Sequence, residues 1–505
     1  MNLSPIITCP NCKMRVIPRA DGTCPSCQAP ILQPAQSQSP DRPQAAPPPQ
    51  VAPVRNTPPP PGPRRPYEQI LLSKINGIPL EFFVSPDASK VAWLLDKVTS
   101  WNIILNHETS QEWNEVTKGS LVFSPDSQRL AYVAERDGKL VVVVDDLHFT
   151  GYDAINSKPV FSPDSKHFAF IAQSGRGQTV VVDGKAGPLH EGIGDGDPVF
   201  SPGSDRLAYT ITTPRGAALA TVDVKHPGEF SSGPWFDGIA RGMPVFSPDG
   251  RRVAYVAGKA GKFLVVVDEH SGHPYEAIPA GSLGFSPDGR HVAYIGRNPG
   301  QKHFLLDGRV TGRHADIMFA SPIFGEAKSG YSYVAKNADR WIWMVNGKEQ
   351  AEINGFQDFE VARDLSRIAS IHSQANQTVL MMNGSEVLRY SEITAVGFSQ
   401  DSMRWACAAR DRISKRGSVV VDGKFGPEFK RILRPGIFFS PDSKHSIYVA
   451  ELPTGEEAFV LDHEIITSFS RVCGDARPSF QVPGSVRLAV IKNDGTVVQI
   501  SVPLD

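Results

Sequence analysis

The tripeptide Ser-Pro-Asp returns along most of this chain at nearly constant spacing, and a fixed period restricts architecture more than any single motif. Intact copies stand at Ser85-Pro86-Asp87, Ser124-Pro125-Asp126, Ser162-Pro163-Asp164, Ser247-Pro248-Asp249, Ser286-Pro287-Asp288 and Ser440-Pro441-Asp442. Degenerate copies are Ser201-Pro202-Gly203, Ser399-Gln400-Asp401 and Val482-Pro483-Gly484, and two weaker ones fall in phase near Gly325 and Arg363. Together they mark eleven units of 37 to 46 residues, mostly 38 or 39.

Each unit repeats one grammar. An apolar stub such as Leu121-Val122-Phe123 leads into the anchor. The anchor has the residues of a tight turn, with Pro second and Asp third. A small-aromatic strand follows, as in Arg129-Leu130-Ala131-Tyr132 and Arg252-Val253-Ala254-Tyr255. A polar loop leads to a third, wholly apolar strand such as Leu140 to Val144. That strand commonly ends in Asp-Gly or Asn-Gly, as at Asp183-Gly184, Asp307-Gly308, Asn346-Gly347, Asn383-Gly384 and Asp422-Gly423. Such pairs supply the two positive-φ residues of a two-residue hairpin. A short fourth strand is expected next, read at Tyr152-Asp153-Ala154-Ile155 and Tyr275-Glu276-Ala277-Ile278.

Four strands of about 5–6 residues fill such a unit. Apolar strands without alternation need cover on both faces. Blades stacked around an axis provide it. The Phe-Ser-Pro-Asp turn, Ala-Tyr strand and Val-Val-Val-Asp-Gly hairpin resemble the WD-like β-propeller repeats of TolB-type proteins. The resemblance spans residues 67–505. It implies an all-β propeller assembly of about eleven four-stranded blades, and it names no function. The last unit offers three strands, around Phe480, Arg487 to Ile491 and Thr496 to Val502, whereas Tyr67-Glu68-Gln69-Ile70 matches the fourth-strand pattern. The N-terminal segment is therefore expected to complete the last blade and remove an exposed edge. Eleven blades exceed the usual four to eight of one propeller. Two propellers, of five and six blades, are the expectation, with no boundary fixed by the sequence.

Residues 1–32 read as a separate module. Cys9-Pro10-Asn11-Cys12 and Cys24-Pro25-Ser26-Cys27 are two CxxC knuckles, which together offer the four thiolates of a tetrahedral zinc site. With every ligand from protein the site reads as structural. So short a segment must take its folding energy from Zn2+. It resembles the N-terminal zinc ribbons of many microbial proteins, some of which bind protein and others nucleic acid. Residues 33–66 hold thirteen prolines, including Pro47-Pro48-Pro49 and Pro58-Pro59-Pro60-Pro61. They read as a disordered, semi-extended spacer. Lys13, Arg15, Arg19, Arg42, Arg55, Arg64 and Arg65 against Asp21 and Asp41 give residues 1–66 a net +5, on a chain whose total is −1. Such an arm could favour an anionic partner, but a solvated linker is the simpler reading of it.

Met1 to Thr8 lacks the features of a secretion signal, unlike secreted TolB-type proteins, and no apolar run reaches the ~20 residues of a membrane helix. Paired CxxC cysteines suit a reducing compartment, so a cytoplasmic location is expected. Cys407 and Cys473 read as ordinary buried or free thiols. There is no GxSxG, Walker-type phosphate loop or HExxH, and the thirteen histidines are scattered. The recurrent aspartates read as turn caps. The loops between second and third strands share one rim and are rich in basic residues. Arg176, Arg215, Lys262, Lys302, Arg340 and Arg412 are its candidate partner-binding residues. The leading expectation is a non-enzymatic scaffold for protein–protein interaction with the ribbon as a second contact. Alternatives are association with nucleic acid through ribbon and basic arm, and a lyase or hydrolase with its site in a propeller channel.

Overall fold

Each blade folds as the repeat grammar dictates: two hairpins side by side, with alternate apolar faces turned to the neighbouring blades. The computed structural model describes residues 65–504 apart from 77–78, 98, 241–243, 319–323, 327–329 and 475. It also describes two short strands, Ile7–Thr8 and Arg15–Val16, which pair antiparallel. Residues Pro58–Asp505 form one compact unit and Met1–Thr57 another. The larger unit holds eleven antiparallel sheets, numbered here as blades 1 to 11 in chain order, and no helix among the described residues.

Blade 1 runs through Pro79–Val84, Val91–Asp96, Trp101–Leu105 and Glu108–Thr109. Blade 11 is built from Arg471–Val472, Ser485–Ile491 and Thr496–Pro503, and its outer strand is the N-terminal Glu68–Lys74. The register Glu68↔Ser501 to Lys74↔Thr496 thus closes the last blade with the chain's other end, as expected. The stub near Phe480 is not a strand. Blade 11 takes its inner pairing from Arg471–Val472 and a bridge at Ser479↔Arg487.

The fourth-strand reading needs correction. In blade 2 the fourth strand is Leu147–Phe149, directly after the turn, whereas Ala154–Ile155 pairs with Phe168–Ser174 of blade 3. Ala277 likewise bridges to Arg297 of blade 6, while Tyr275 bridges back to Phe263 of its own blade. A tight turn lets the chain pair at once, so the later apolar pair is free to begin the next blade.

Eleven apolar clusters fill the spaces between blades. Ala92, Leu94 and Ile103 of blade 1 pack on Leu130, Tyr132 and Val141 of blade 2. Successive clusters join each blade to the next, to Ile447, Val449 and Phe459 of blade 10 on Val486, Leu488 and Ile500 of blade 11. The eleventh sets Leu72, Cys473, Ala489 and Val497 against Ala88 and Val91 of blade 1. The neighbour relation is therefore a single cycle of eleven. Two propellers of five and six would need clusters between non-consecutive blades, and the clusters of the described residues contain none. The third strands show why alternation is missing. Val142, Val143 and Val144 are all buried, with neighbours on both faces.

The anchors join blades as well as turning the chain. Ser124 Oγ donates to Asp126 Oδ1 at 2.6 Å, and the same carboxylate oxygen accepts the Gln128 amide. The amide of Asp126 then donates to Ser165 Oγ of the next anchor at 2.9 Å. Equivalent bonds join Asp87 to Ser127, Asp164 to Ser204, Asp364 to Ser402 and Asp401 to Ser443. The bridging serines hold φ of 61 to 64°, the left-handed region, which explains why Gly250 and Gly289 alternate with Ser at this position. Where Gly stands, the hydroxyl bridge is lost.

Basic residues after the anchors form a second staple. Arg252 Nε donates to Asp268 at 2.7 Å and its Nη1 donates to the carbonyls of Gly289 and Arg290 in the next blade. Its guanidinium lies 5.3 Å from the ring centroid of Phe285. Arg129, Arg206 and Arg404 repeat the reach onto Phe161, Phe246 and Phe439. His167, His291 and His445 contact the turn aspartates Asp183, Asp307 and Asp462 instead.

Asp164, Asp249, Asp288, Asp401 and Asp442 lie below the ordinary carboxylate value of 3.8, held there first by the serine two residues earlier. Groups depressed on folding contribute stability that is complete above the unfolded value and is lost as pH falls through the folded one. The anchors' contribution to the midpoint of thermal unfolding should therefore hold steady down to about pH 4 and drop below it. A variant with Ser162, Ser286 and Ser440→Ala should show a shallower drop; an unchanged acid profile in that variant would refute the assignment.

Candidate functional site

A ring of antiparallel blades has two rims. Anchor turns and third-to-fourth-strand turns share one; second-to-third-strand turns share the other. The second rim carries the basic residues singled out from the sequence, spread over blades 3 to 7 and 9. Arg176 and Arg215 are exposed. Three of the others are held by carboxylates: Lys262 by Glu276 at 3.5 Å, Lys302 by Asp316 at 2.5 Å and Arg340 by Glu352 at 3.3 Å. Arg412 donates to the Asn376 carbonyl at 2.9 Å. The structure places these residues on one rim but does not draw them into one patch, and half of their positive charge is locally balanced.

Two concavities gather aromatic and polar side chains that the sequence reading passed over. The first, about 360 Å³, opens on the anchor rim across blades 8 to 11. Phe398, Phe438, Phe439 and Phe480 line it, with Arg363, Gln400 and Pro441 from the second positions of three consecutive anchors. All four rings are half-buried. Arg367 and Arg404 cover Phe398 and Phe439, leaving Phe438 and Phe480 as the rings without a cation over them among the described contacts. Arg363 is paired with Glu326 at 2.6 Å. The sequence signal was the doubled aromatic in Ile437-Phe438-Phe439-Ser440, which reads as an ordinary apolar stub.

The second concavity, about 290 Å³, lies between blades 7 and 8 and is lined by Glu352, Asn354, His372, Gln374, Met381 and Gly384. It coincides with a break in the repeat. Most blades place an aromatic residue after the strand's Ala, as Tyr132, Tyr209, Tyr255 and Tyr294 do, whereas blade 8 has Ser370, and His372 stands where most blades have Ala, Gly or Ile. Ser370 Oγ and His372 Nε2 are 2.8 Å apart. Burial lowers the His372 pKa, partly offset by a bond to the Asn354 backbone, so the ring is neutral near pH 7. A neutral imidazole with an oriented ring can accept a hydroxyl proton. On the same blade, burial pushes Glu360 up to about 7, with Asp358 adding to the shift and Arg363 opposing it.

Cys9, Cys12, Cys24 and Cys27 lie outside the described residues. The strands Ile7–Thr8 and Arg15–Val16 bracket the first pair in sequence. Among the described residues no group of three or more His, Cys, Asp or Glu is arranged to hold a metal ion, and no helix is long and apolar enough to cross a membrane. Cys407 and Cys473 are free, fully buried thiols, each pushed up to about 12 by burial. They sit in the blade 8/9 and blade 11/1 interfaces.

No family model matches the sequence, and no curated protein matches it. Solved structures similar to the chain include a eukaryotic initiation factor, with 13% identity over 71% of this chain and 91% of that one and a TM-score of 0.38. The propeller domain of the trilobed protease from Pyrococcus furiosus shares 15% identity over 53% and 94% of the two chains, with a TM-score of 0.25. TolB from Acinetobacter baumannii shares 14% over 60% and 65%, with a TM-score of 0.22. Likeness at this level says nothing of what this chain does.

Thiolate, not thiol, reacts with electrophiles. Site-resolved mass spectrometry after brief iodoacetamide treatment should find Cys407 and Cys473 unmodified in the native protein and modified once it is unfolded. Labelling of Cys473 in the native state would mean that the blade 11/1 interface is open.

Proposed function

We propose that the protein is a non-enzymatic β-propeller scaffold that binds a protein partner, with an N-terminal zinc ribbon as a second contact. One observation carries the reading. Polar residues that recur in most units are engaged in joining blades, as the Asp126 amide does with Ser165 and Arg252 with the carbonyls of Gly289 and Arg290. The repeated chemistry is thus spent on a rigid frame, and what varies between blades is presented on the rims and in the concavities. A rigid frame with a tethered second module suits bivalent attachment, in which two modest affinities multiply.

In this reading Cys9, Cys12, Cys24 and Cys27 hold one structural Zn2+, whose four thiolate ligands leave no position for substrate. Arg176 and Arg215, exposed rim residues whose side chains make neither an ion pair nor a hydrogen bond among the described contacts, are the first candidates for contact with an acidic partner surface. A cytoplasmic location fits the reduced state that the zinc thiolates require. The nucleic-acid alternative rests on the basic N-terminal arm alone.

A second reading, hydrolytic chemistry, is favoured by one observation, the Ser370–His372 pair beside the blade 7/8 pocket. A fluorophosphonate probe separates the two: scaffold function predicts no labelling, whereas covalent adduct on Ser370, absent from Ser370→Ala, would favour the enzyme.

The scaffold reading is tested by affinity capture with the full chain and with Cys24→Ser/Cys27→Ser and Arg176→Glu/Arg215→Glu variants. Elemental analysis should find about one zinc per wild-type chain and none in the double cysteine variant. Partners retained by wild type should weaken at least tenfold in one of the two variants. Equal recovery in all three would contradict both proposed contacts.

A further inference from the structure

We propose that the phenylalanine-lined cleft of blades 8 to 11 is a polyproline-binding groove and that its resident ligand is this chain's own Pro58–Pro61 tract. The proposal goes beyond the scaffold reading and stands whether or not an external partner exists.

The cleft has the chemistry such a ligand requires. Polyproline II is an extended helix with solvated carbonyls and no internal hydrogen bonds, and proline-rich segments dock into aromatic-lined grooves because little ordering entropy remains to be lost. Phe438 and Phe480 offer half-buried ring surface against which pyrrolidine rings can pack. At the mouth, the Gln400 amide can donate to a ligand carbonyl, and Arg363 has donors beyond the one given to Glu326. No residue lining the cleft carries a carboxylate, which suits a ligand rich in backbone acceptors.

The choice of occupant comes from where the described chain begins. Arg65 is moored on blade 10: its backbone amide donates to Glu464 Oε1 at 3.1 Å and its Nη2 to Asp462 Oδ2 at 3.1 Å. Asp462 and Glu464 belong to the third-to-fourth-strand turn, which lies on the anchor rim. Pro441, in the cleft wall, belongs to the anchor turn of the same blade. The two turns of one blade are separated by two strand spacings, about 10 Å. The seven residues from Pro58 to Arg64 span about 22 Å as polyproline II. A tract tied at Arg65 therefore has the reach to enter the cleft. Attachment through Arg65 gives it an effective concentration in the millimolar range for so short a tether.

The test uses a fluorescent peptide of residues 54–66 added to the full-length protein. The peptide is offered to wild type and to a variant with Pro58, Pro59, Pro60 and Pro61→Ser, whose own tract can no longer compete. Fluorescence anisotropy should show at least tenfold tighter binding to the serine variant. In that background Phe438→Leu should weaken the peptide at least fivefold, and Gln400→Ala, on the cleft mouth, should do so if the first change disturbs folding. Equal affinity for wild type and serine variant would show that the tract does not occupy the groove and would overturn the proposal. No binding to either protein would overturn it too, as would tight binding that ignores both cleft changes. Binding of unrelated proline-rich peptides alongside the native sequence is the expected specificity; preference for a second copy of the ring, seen as dimerisation of the serine variant without peptide, would count against it.

Discussion

Each sheet in this molecule has two apolar faces, and neither is covered by anything within its own unit. Everything else follows from that debt. A strand such as Val141–Val144 is buried on both sides, so it needs a blade before it and a blade after it. Each interface buries several large side chains, at about 25 cal/mol for each Å² of apolar surface removed from water. A chain of such units has two bare ends, and those ends meet: Leu72 and Val497 of the closing blade pack on Ala88 and Val91 of the first. The polar bonds between anchors then fix the angle at which apolar faces meet. A serine hydroxyl and an arginine fork reach from one blade to the next at the same place in successive units, which makes the wedge between blades regular.

Regularity also shows where the molecule departs from itself. Blades 8 to 11 carry the departures: Ser370 and Cys407 where other blades place aromatics, Phe438 beside Phe439, and the long inner strand Arg431–Phe439. The first concavity lies among them and the second at their edge, between blades 7 and 8. A repeat protein keeps its frame by repeating and acquires distinct surfaces by breaking the pattern, so these blades are where binding or chemistry has room.

Much of the frame was legible in the sequence because turn chemistry is local. Asp183 and Gly184 do have the positive φ that their pair demands, the weak anchor at Arg363 holds a turn with the same backbone bonds as the intact ones, and Gly325 makes the first of those bonds, to Gly330. The closing strand was legible because the last unit lacked one. What failed was what depends on distance through space. The number of rings is set by which blades touch, and a spacing of 38 residues is the same in either arrangement. The assignment of Ala154 and Ile155 to the wrong blade has the same origin, since their apolar pair fits the end of one sheet as well as the start of the next. The rim cations looked free because their partners are far off in sequence or belong to another strand, as Asp316 does for Lys302. The cleft was invisible because its walls come from four blades.

The most direct check of this account is hydrogen exchange, read by mass spectrometry, in the strands Ser485–Ile491 and Thr496–Pro503, comparing a chain that begins at Tyr67 with one that begins at Gly77 and so lacks the closing strand. If mutual cover of blade faces holds the ring together, removal of Glu68–Lys74 should speed exchange in both strands and in Val91–Asp96 of blade 1, across the seam. Protection in all three segments equal to that of the longer chain would contradict the account, because it would mean that the ring does not depend on being closed.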